Sequence, residues 1–171
     1  MGSYNEGKRE VCAWIRERFD RDSKILDVGP SDGKWRTLLS DYRHMDAVEV
    51  WKPHADRCRG MYEHVYVQDI KDFEYDWYDL IILGDVIEHL TVEDAQKVID
   101  YAMERCRDMI VAVPFLYKQG EVGGNPYEVH IQDDLTRELF EKRYKGLMVL
   151  CEARADYCYF HKDEGITGTT D

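Results

Sequence analysis

Between Lys24 and Trp35 the chain reads KILDVGPSDGKW: a short apolar burst closed by an acid, two glycines around Pro-Ser-Asp, then a predicted helix start. A strand, a glycine loop and a helix in that order require backbone that turns sharply and can approach a ligand closely. The unit is also directional, because parallel strands joined through helices gather such loops on one edge of a sheet. No other stretch of the 171 residues limits the fold as strongly.

The segments around it alternate in the same sense. Residues 5–19 carry Val11, Trp14, Ile15 and Phe19 at helical spacing, which predicts an amphipathic helix ahead of the loop. A helix over 33–42 follows, then a strand in MDAVEVW, a short helix in KPHADRCRG opened by Pro53, and a strand in HVYVQDI. YDLIILGDV and DMIVAVP are apolar runs suited to strands buried on both faces, the second stopped by Pro114. TVEDAQKVIDYAMERC predicts a helix capped by Thr91, with Asp94 three residues on. DDLTRELFEKRY predicts another, N-capped by Asp133 or Asp134. GLMVLCEARADYCYFHKD reads as two strands with a turn near Arg154–Asp156. The expectation is α/β: one doubly wound, mostly parallel sheet over residues 1–163, followed by a flexible tail at 164–171.

Charge narrows the partners. Thirty-five acids against twenty-three bases give a net charge of -12, a field that repels phosphate backbones, so nucleic acid is a disfavoured partner. No apolar run approaches the roughly 18–20 residues that span a bilayer, and MGSYNEGKRE has neither signal-peptide nor transit-peptide order, so a cytoplasmic setting is expected. Cys12, Cys58, Cys106, Cys151 and Cys158 are never spaced as CxxC and read as reduced thiols.

The loop excludes two common ligands. Gly33-Lys34 is followed by Trp35 where a P-loop needs Ser or Thr, and Ser31 stands where the dinucleotide fingerprint GxGxxG needs its second glycine. Asp27-Val28-Gly29-Pro30-Ser31-Asp32-Gly33 instead resembles motif I of the class I S-adenosylmethionine-dependent methyltransferases, departing from it at Ser31 for Gly. Further motifs follow in order. Glu49 ends the second strand about twenty residues after the loop, where an acid accepts hydrogen bonds from ribose hydroxyls. Asp69-Ile70 ends the third strand, and YDLIILGDVIEHL resembles motif IV of the same family.

The resemblance implies a seven-stranded Rossmann-like sheet with an antiparallel last strand, and S-adenosylmethionine as cofactor. It implies a cofactor set of Asp27, Gly29, Ser31, Gly33, Glu49, Val50, Trp51, Asp69, Ile70, Gly84 and Asp85, with Trp51 covering one adenine face.

Methyl transfer from a sulfonium is an in-line displacement that needs a positioned nucleophile, plus a base or a metal when the acceptor is protonated. Glu88, His89 and His130 are the candidate catalytic residues. If a helical turn starts after the fourth strand, Asp85, Glu88 and His89 share one face, with His130 on the same sheet edge. The pattern D-x-x-E-H plus a distant His resembles the E-x-x-E-H pattern of two methyltransferase groups. One group methylates the 3′-terminal 2′-hydroxyl of small RNAs, and the other acts in ubiquinone synthesis. Both look metal-assisted, which would make Asp85, Glu88, His89 and His130 ligands of a divalent ion. A histidine base or a substrate-positioning role is the alternative.

Residues 114–132, with Phe115, Tyr117, Tyr127 and a Gly-Gly pair, are the expected lid over the acceptor. Acceptor choice is then left to short loops, a partner protein or a second subunit. The expected activity is transfer of a methyl group to O or N of a small-molecule or glycan-like acceptor. Three alternatives are a cofactor-binding scaffold without activity of its own, a nicotinamide oxidoreductase, and metal-assisted RNA 2′-O-methylation.

Overall fold

A computed structural model describes residues 5–163; the expected tail at 164–171 lies outside the described residues. Seven strands form one sheet in the order β3-β2-β1-β4-β5-β7-β6. Strands β1 (Lys24–Val28), β2 (His44–Glu49), β3 (Val65–Val67), β4 (Tyr78–Gly84) and β5 (Cys106–Pro114) are parallel. The hairpin of β6 (Leu147–Arg154) and β7 (Tyr157–Lys162) inserts β7 antiparallel between β5 and β6, so the expected mixed sheet is observed.

Side chains alternate across the strands and divide the core into two layers. Leu26, Val28, Ile81, Leu83, Met109 and Val111 pack under α4 (Val92–Glu104) and α5 (Arg137–Arg143). Ile25, Leu80, Ile82, Ile110 and Ala112 face the opposite way, toward α1 (Lys8–Arg18), α2 (Lys34–Leu38) and α3 (Lys52–Cys58). Helix α4 buries Ala95, Val98, Ile99 and Ala102, one stripe at i, i+3, i+4 and i+7. Its cap is as expected: Thr91 Oγ1 accepts the Asp94 N–H at 3.1 Å.

Four local expectations need correction. Helix α2 covers only Lys34–Leu38, because Leu39 leaves helical geometry and Tyr42 turns inward to donate its hydroxyl to the Ile15 and Phe19 carbonyls. Strand β3 stops at Val67, and Asp69 instead caps a 3-10 turn, Ile70–Asp72, by accepting the Lys71 N–H. Helix α5 is capped by Thr136, which accepts the Leu139 N–H at 3.1 Å; Asp134 pairs with Arg143 at 3.2 Å, so neither aspartate caps. The helical turn expected after β4 is a 3-10 turn, Ile87–His89, entered through Asp85 at φ 57.

The order reverses between β1 and β4, so the crevice beyond their C-terminal ends is the binding edge of this sheet. No described helix is long and apolar enough to cross a membrane.

Candidate functional site

Two joined cavities open at that crevice. The outer one, of about 330 Å³, is lined by Gly29, Ser31, Glu49, Val50, Asp69 and Ile70, and roofed by residues 125–129. The inner one, of about 110 Å³, is bounded by Ser31, Lys34, Trp35, Gly84, Asp85, Glu88, Tyr117 and His130. Gly29, Ser31, His89 and Glu128 belong to both walls, so a ligand in one meets a ligand in the other there.

The glycine loop is shaped by left-handed backbone at Gly29 (φ 65), Ser31 (φ 53) and Gly33 (φ 76). Ser31 holds a conformation that glycine adopts without cost, and its N–H donates to Glu49 Oε2 at 3.3 Å. Glu49 Oε1 accepts the Trp51 N–H at 2.9 Å. Burial raises the Glu49 carboxyl and these two backbone donors hold it down, so the acid is fixed with its remaining lone pairs toward the outer cavity. Asp69, Val50 and Ile70 line that cavity as expected.

Trp51 does not. Its ring lies edge-on to His54 at 4.4 Å and lines neither cavity; His54 takes its place in the outer wall. Gly33 also lines neither cavity; it starts α2 and donates its N–H to the Pro30 carbonyl at 2.8 Å.

Asp27 lies beneath the loop, fully enclosed. Tyr62 donates its hydroxyl to Asp27 Oδ2 at 2.6 Å, and Oδ1 has no partner. Burial pushes the Asp27 carboxyl up to about 7, against the pull of the Tyr62 hydroxyl and the Lys8 charge. The folded value lies above the unfolded one near 3.8, so this group favours folding in acid and loses that contribution as pH rises through about 7. Asp27→Asn is therefore expected to be more stable than the parent at pH 8 by about 2–4 kcal/mol, the gain narrowing toward about pH 5. Urea unfolding at both pH values checks this, and a pH-independent difference would contradict it.

At the cavity junction the geometry is tighter than sequence spacing implied. Among the described residues, Glu88, His89 and His130 each offer one ligand atom, all within 4.8 Å of one another. Glu88 is 1% exposed, and neither carboxylate oxygen has a partner. Burial, then Asp85, raises its carboxyl well above the usual range. His89 Nδ1 faces the Val129 carbonyl at 3.1 Å, and His130 Nδ1 faces the Tyr117 carbonyl at 2.7 Å. A carbonyl can only accept, so each Nδ1 carries a proton. The two rings stand 4.7 Å apart. Burial, then the neighbouring His130, lowers His89 to about 4, so it is neutral at physiological pH.

Two imidazoles whose Nδ1 atoms face backbone carbonyls, beside a buried, unpartnered carboxyl group, are a donor set that fits a divalent cation. Asp85 falls outside this group: its Oδ1 accepts the Tyr157 hydroxyl at 2.7 Å, although it lines the same inner cavity as Glu88.

The lid is pinned at its stem. The Glu88 carbonyl accepts the N–H groups of Ile131 (2.8 Å) and Gln132 (3.0 Å). The Gln132 side chain donates to the Ile87 and Leu90 carbonyls and accepts from Arg143 and Tyr144. Phe115 packs into the core, and Tyr127 roofs the outer cavity; of the three aromatics, Tyr117 alone reaches the inner one. Residues 114–132 thus contribute to the walls of both cavities. Gln132 and His54 carry no local sequence signal, since both act through contacts distant in the chain.

No protein-family model and no curated protein matches the sequence. Solved structures do match in fold. An S-adenosylmethionine-dependent methyltransferase from Clostridium acetobutylicum ATCC 824 is 13% identical with a TM-score of 0.71, covering 94% of this chain and 91% of that one. The N-terminal domain of EvdMO1, solved with SAH bound, is 13% identical at TM-score 0.66 over 91% and 79%; the same domain was also solved in the presence of SAH and D-fucose. The methyltransferase domain of bacterial CtHen1-CN is 18% identical at TM-score 0.65 over 91% and 97%. The fold is that of the S-adenosylmethionine-dependent methyltransferases.

Proposed function

We propose that the protein transfers a methyl group from S-adenosylmethionine to a hydroxyl or amine of a small-molecule or glycan-like acceptor. The observation that carries this reading is the pair of joined cavities. The outer one offers a fixed strand-end acid for a ribose, and the inner one ends at Glu88, His89 and His130. A donor in the first and an acceptor in the second meet at their shared wall, where the transfer needs the two aligned in line and water excluded.

Gly29, Ser31, Glu49, Val50, Asp69, Ile70, Gly84 and Asp85 form the cofactor side, with Asp27 buried beneath the glycine loop. His89, held neutral by burial, and His130, fixed by the Tyr117 carbonyl, are suited to orient the acceptor. The same three side chains would hold a divalent cation, whose chemistry is to acidify a bound hydroxyl. Orphaned Glu88 favours that arrangement over a bare histidine pair. A small inner cavity and a charge of -12 support a compact neutral or cationic acceptor over RNA.

Incubation with methyl-labelled S-adenosylmethionine and a panel of sugars, phenols and amines, with manganese or with chelator, tests this reading. Label transfer that manganese stimulates on hydroxyl acceptors is expected. Tight cofactor binding with no transfer to any acceptor would favour a cofactor-binding scaffold.

A further inference from the structure

Of the four residues on the wall that both cavities share, Glu128 is the one carboxylate. The 3-10 turn Pro126–Glu128 in the roof carries it. Left-handed backbone at Gly123 (φ 60) and Gly124 (φ 78) reverses the chain before that turn, and Asn125 donates its N–H to the Val122 carbonyl at 3.0 Å. Asn125 is buried and caps the turn by accepting the Tyr127 N–H.

The carboxylate is braced by two amides. Gln119 Nε2 donates to the Glu128 carbonyl at 2.8 Å and to Oε2 at 3.3 Å, and Asn125 Nδ2 donates to Oε1 at 3.4 Å. Gln119 lines the inner cavity and not the outer one, and its own carbonyl accepts the His130 N–H at 3.0 Å. One glutamine therefore fixes both Glu128 and His130 on the acceptor side.

The brace supplies no positive charge. Among the described residues the Glu128 side chain accepts only from these two neutral amides, which leaves each oxygen a lone pair to use. Asp32, Asp85 and Glu88 share the inner wall with it, against one lysine, Lys34. Burial raises the carboxyls of Glu49 and Glu88, and the Glu128 charge adds to the rise in both. Glu88, 1% exposed, lines the same cavity with both oxygens unpartnered. A cationic ligand group would meet a prepositioned anion here, whereas an uncharged one would leave that anion uncompensated.

We propose that Glu128 selects an acceptor that carries an ammonium near its methylated hydroxyl, such as an amino sugar or a phenolic amine. This rests on the methyl-transfer reading above and narrows its acceptor class. Glu128 holds the ammonium and takes no part in the transfer itself.

Label transfer from S-adenosylmethionine to matched acceptors tests it: D-glucosamine beside N-acetyl-D-glucosamine, and tyramine beside 4-ethylphenol. In at least one pair the parent should favour the ammonium-bearing member at least ~10-fold in kcat/KM, the effect of one charge-assisted contact. Glu128→Gln keeps the size of the side chain and an oxygen for the brace. It should shrink that ratio to about twofold through a higher KM for the ammonium-bearing member, with kcat held. Equal use of both members, transfer to neither amine, or a ratio that survives Glu128→Gln would overturn the proposal. A raised KM for S-adenosylmethionine with the acceptor ratio intact would also overturn it, assigning the carboxylate to the donor's sulfonium. A folded parent that does not bind S-adenosylhomocysteine would instead overturn the S-adenosyl reading, and this proposal with it.

Discussion

Glu88→Gln is expected to lower methyl transfer by about 10²–10⁴-fold while leaving S-adenosylhomocysteine affinity within about twofold. The contacts that organise the site around Glu88 run through its backbone: its carbonyl accepts the Ile131 and Gln132 N–H groups, and its side chain accepts nothing. The substitution therefore keeps the lid stem and removes only the carboxylate. Manganese stimulation should vanish with it, because His89 and His130 alone make a weak pair for a hard cation. Steady-state transfer with and without manganese, beside a nucleoside titration, checks both halves. Full activity in this variant would remove Glu88 from the chemistry and return it to a pocket-floor role.

Glu49→Ala is expected to weaken S-adenosylhomocysteine binding about 10- to 100-fold, or roughly 1.5–3 kcal/mol. Two losses add. The ribose loses its acceptor, and the Ser31 and Trp51 N–H groups lose the carboxylate that fixes the loop around them. Because Ser31 already sits at φ 53, the loop without this tether is expected to relax away from its binding shape. Calorimetry on the purified variant measures the effect, and unchanged affinity would show that Glu49 is a solvated strand-end acid.

The fold was legible because its signals are local and periodic. Apolar strands, glycine loops and the Thr91 cap each declare themselves within a few residues, and the sheet order follows from their alternation. Gly29, Glu49, Asp69 and Gly84, all expected at strand ends, line the two cavities, although Asp69 caps a turn rather than ending β3. Spacing fails where orientation depends on a turn that it cannot reveal. The spacing groups Asp85 with Glu88 and His89 on one α-turn, whereas the turn is 3-10 and Asp85 binds the Tyr157 hydroxyl outside the Glu88, His89 and His130 group. Trp51, expected over the adenine, packs its side chain on His54.

The measurement that bears most directly on the account is calorimetric titration of the unmodified protein with S-adenosylhomocysteine, run beside NAD. The cavities, the fixed Glu49 and the glycine loop predict one site per chain with micromolar affinity for S-adenosylhomocysteine and none for NAD. A folded, ligand-free sample that takes up no S-adenosylhomocysteine, or that prefers NAD, would contradict it.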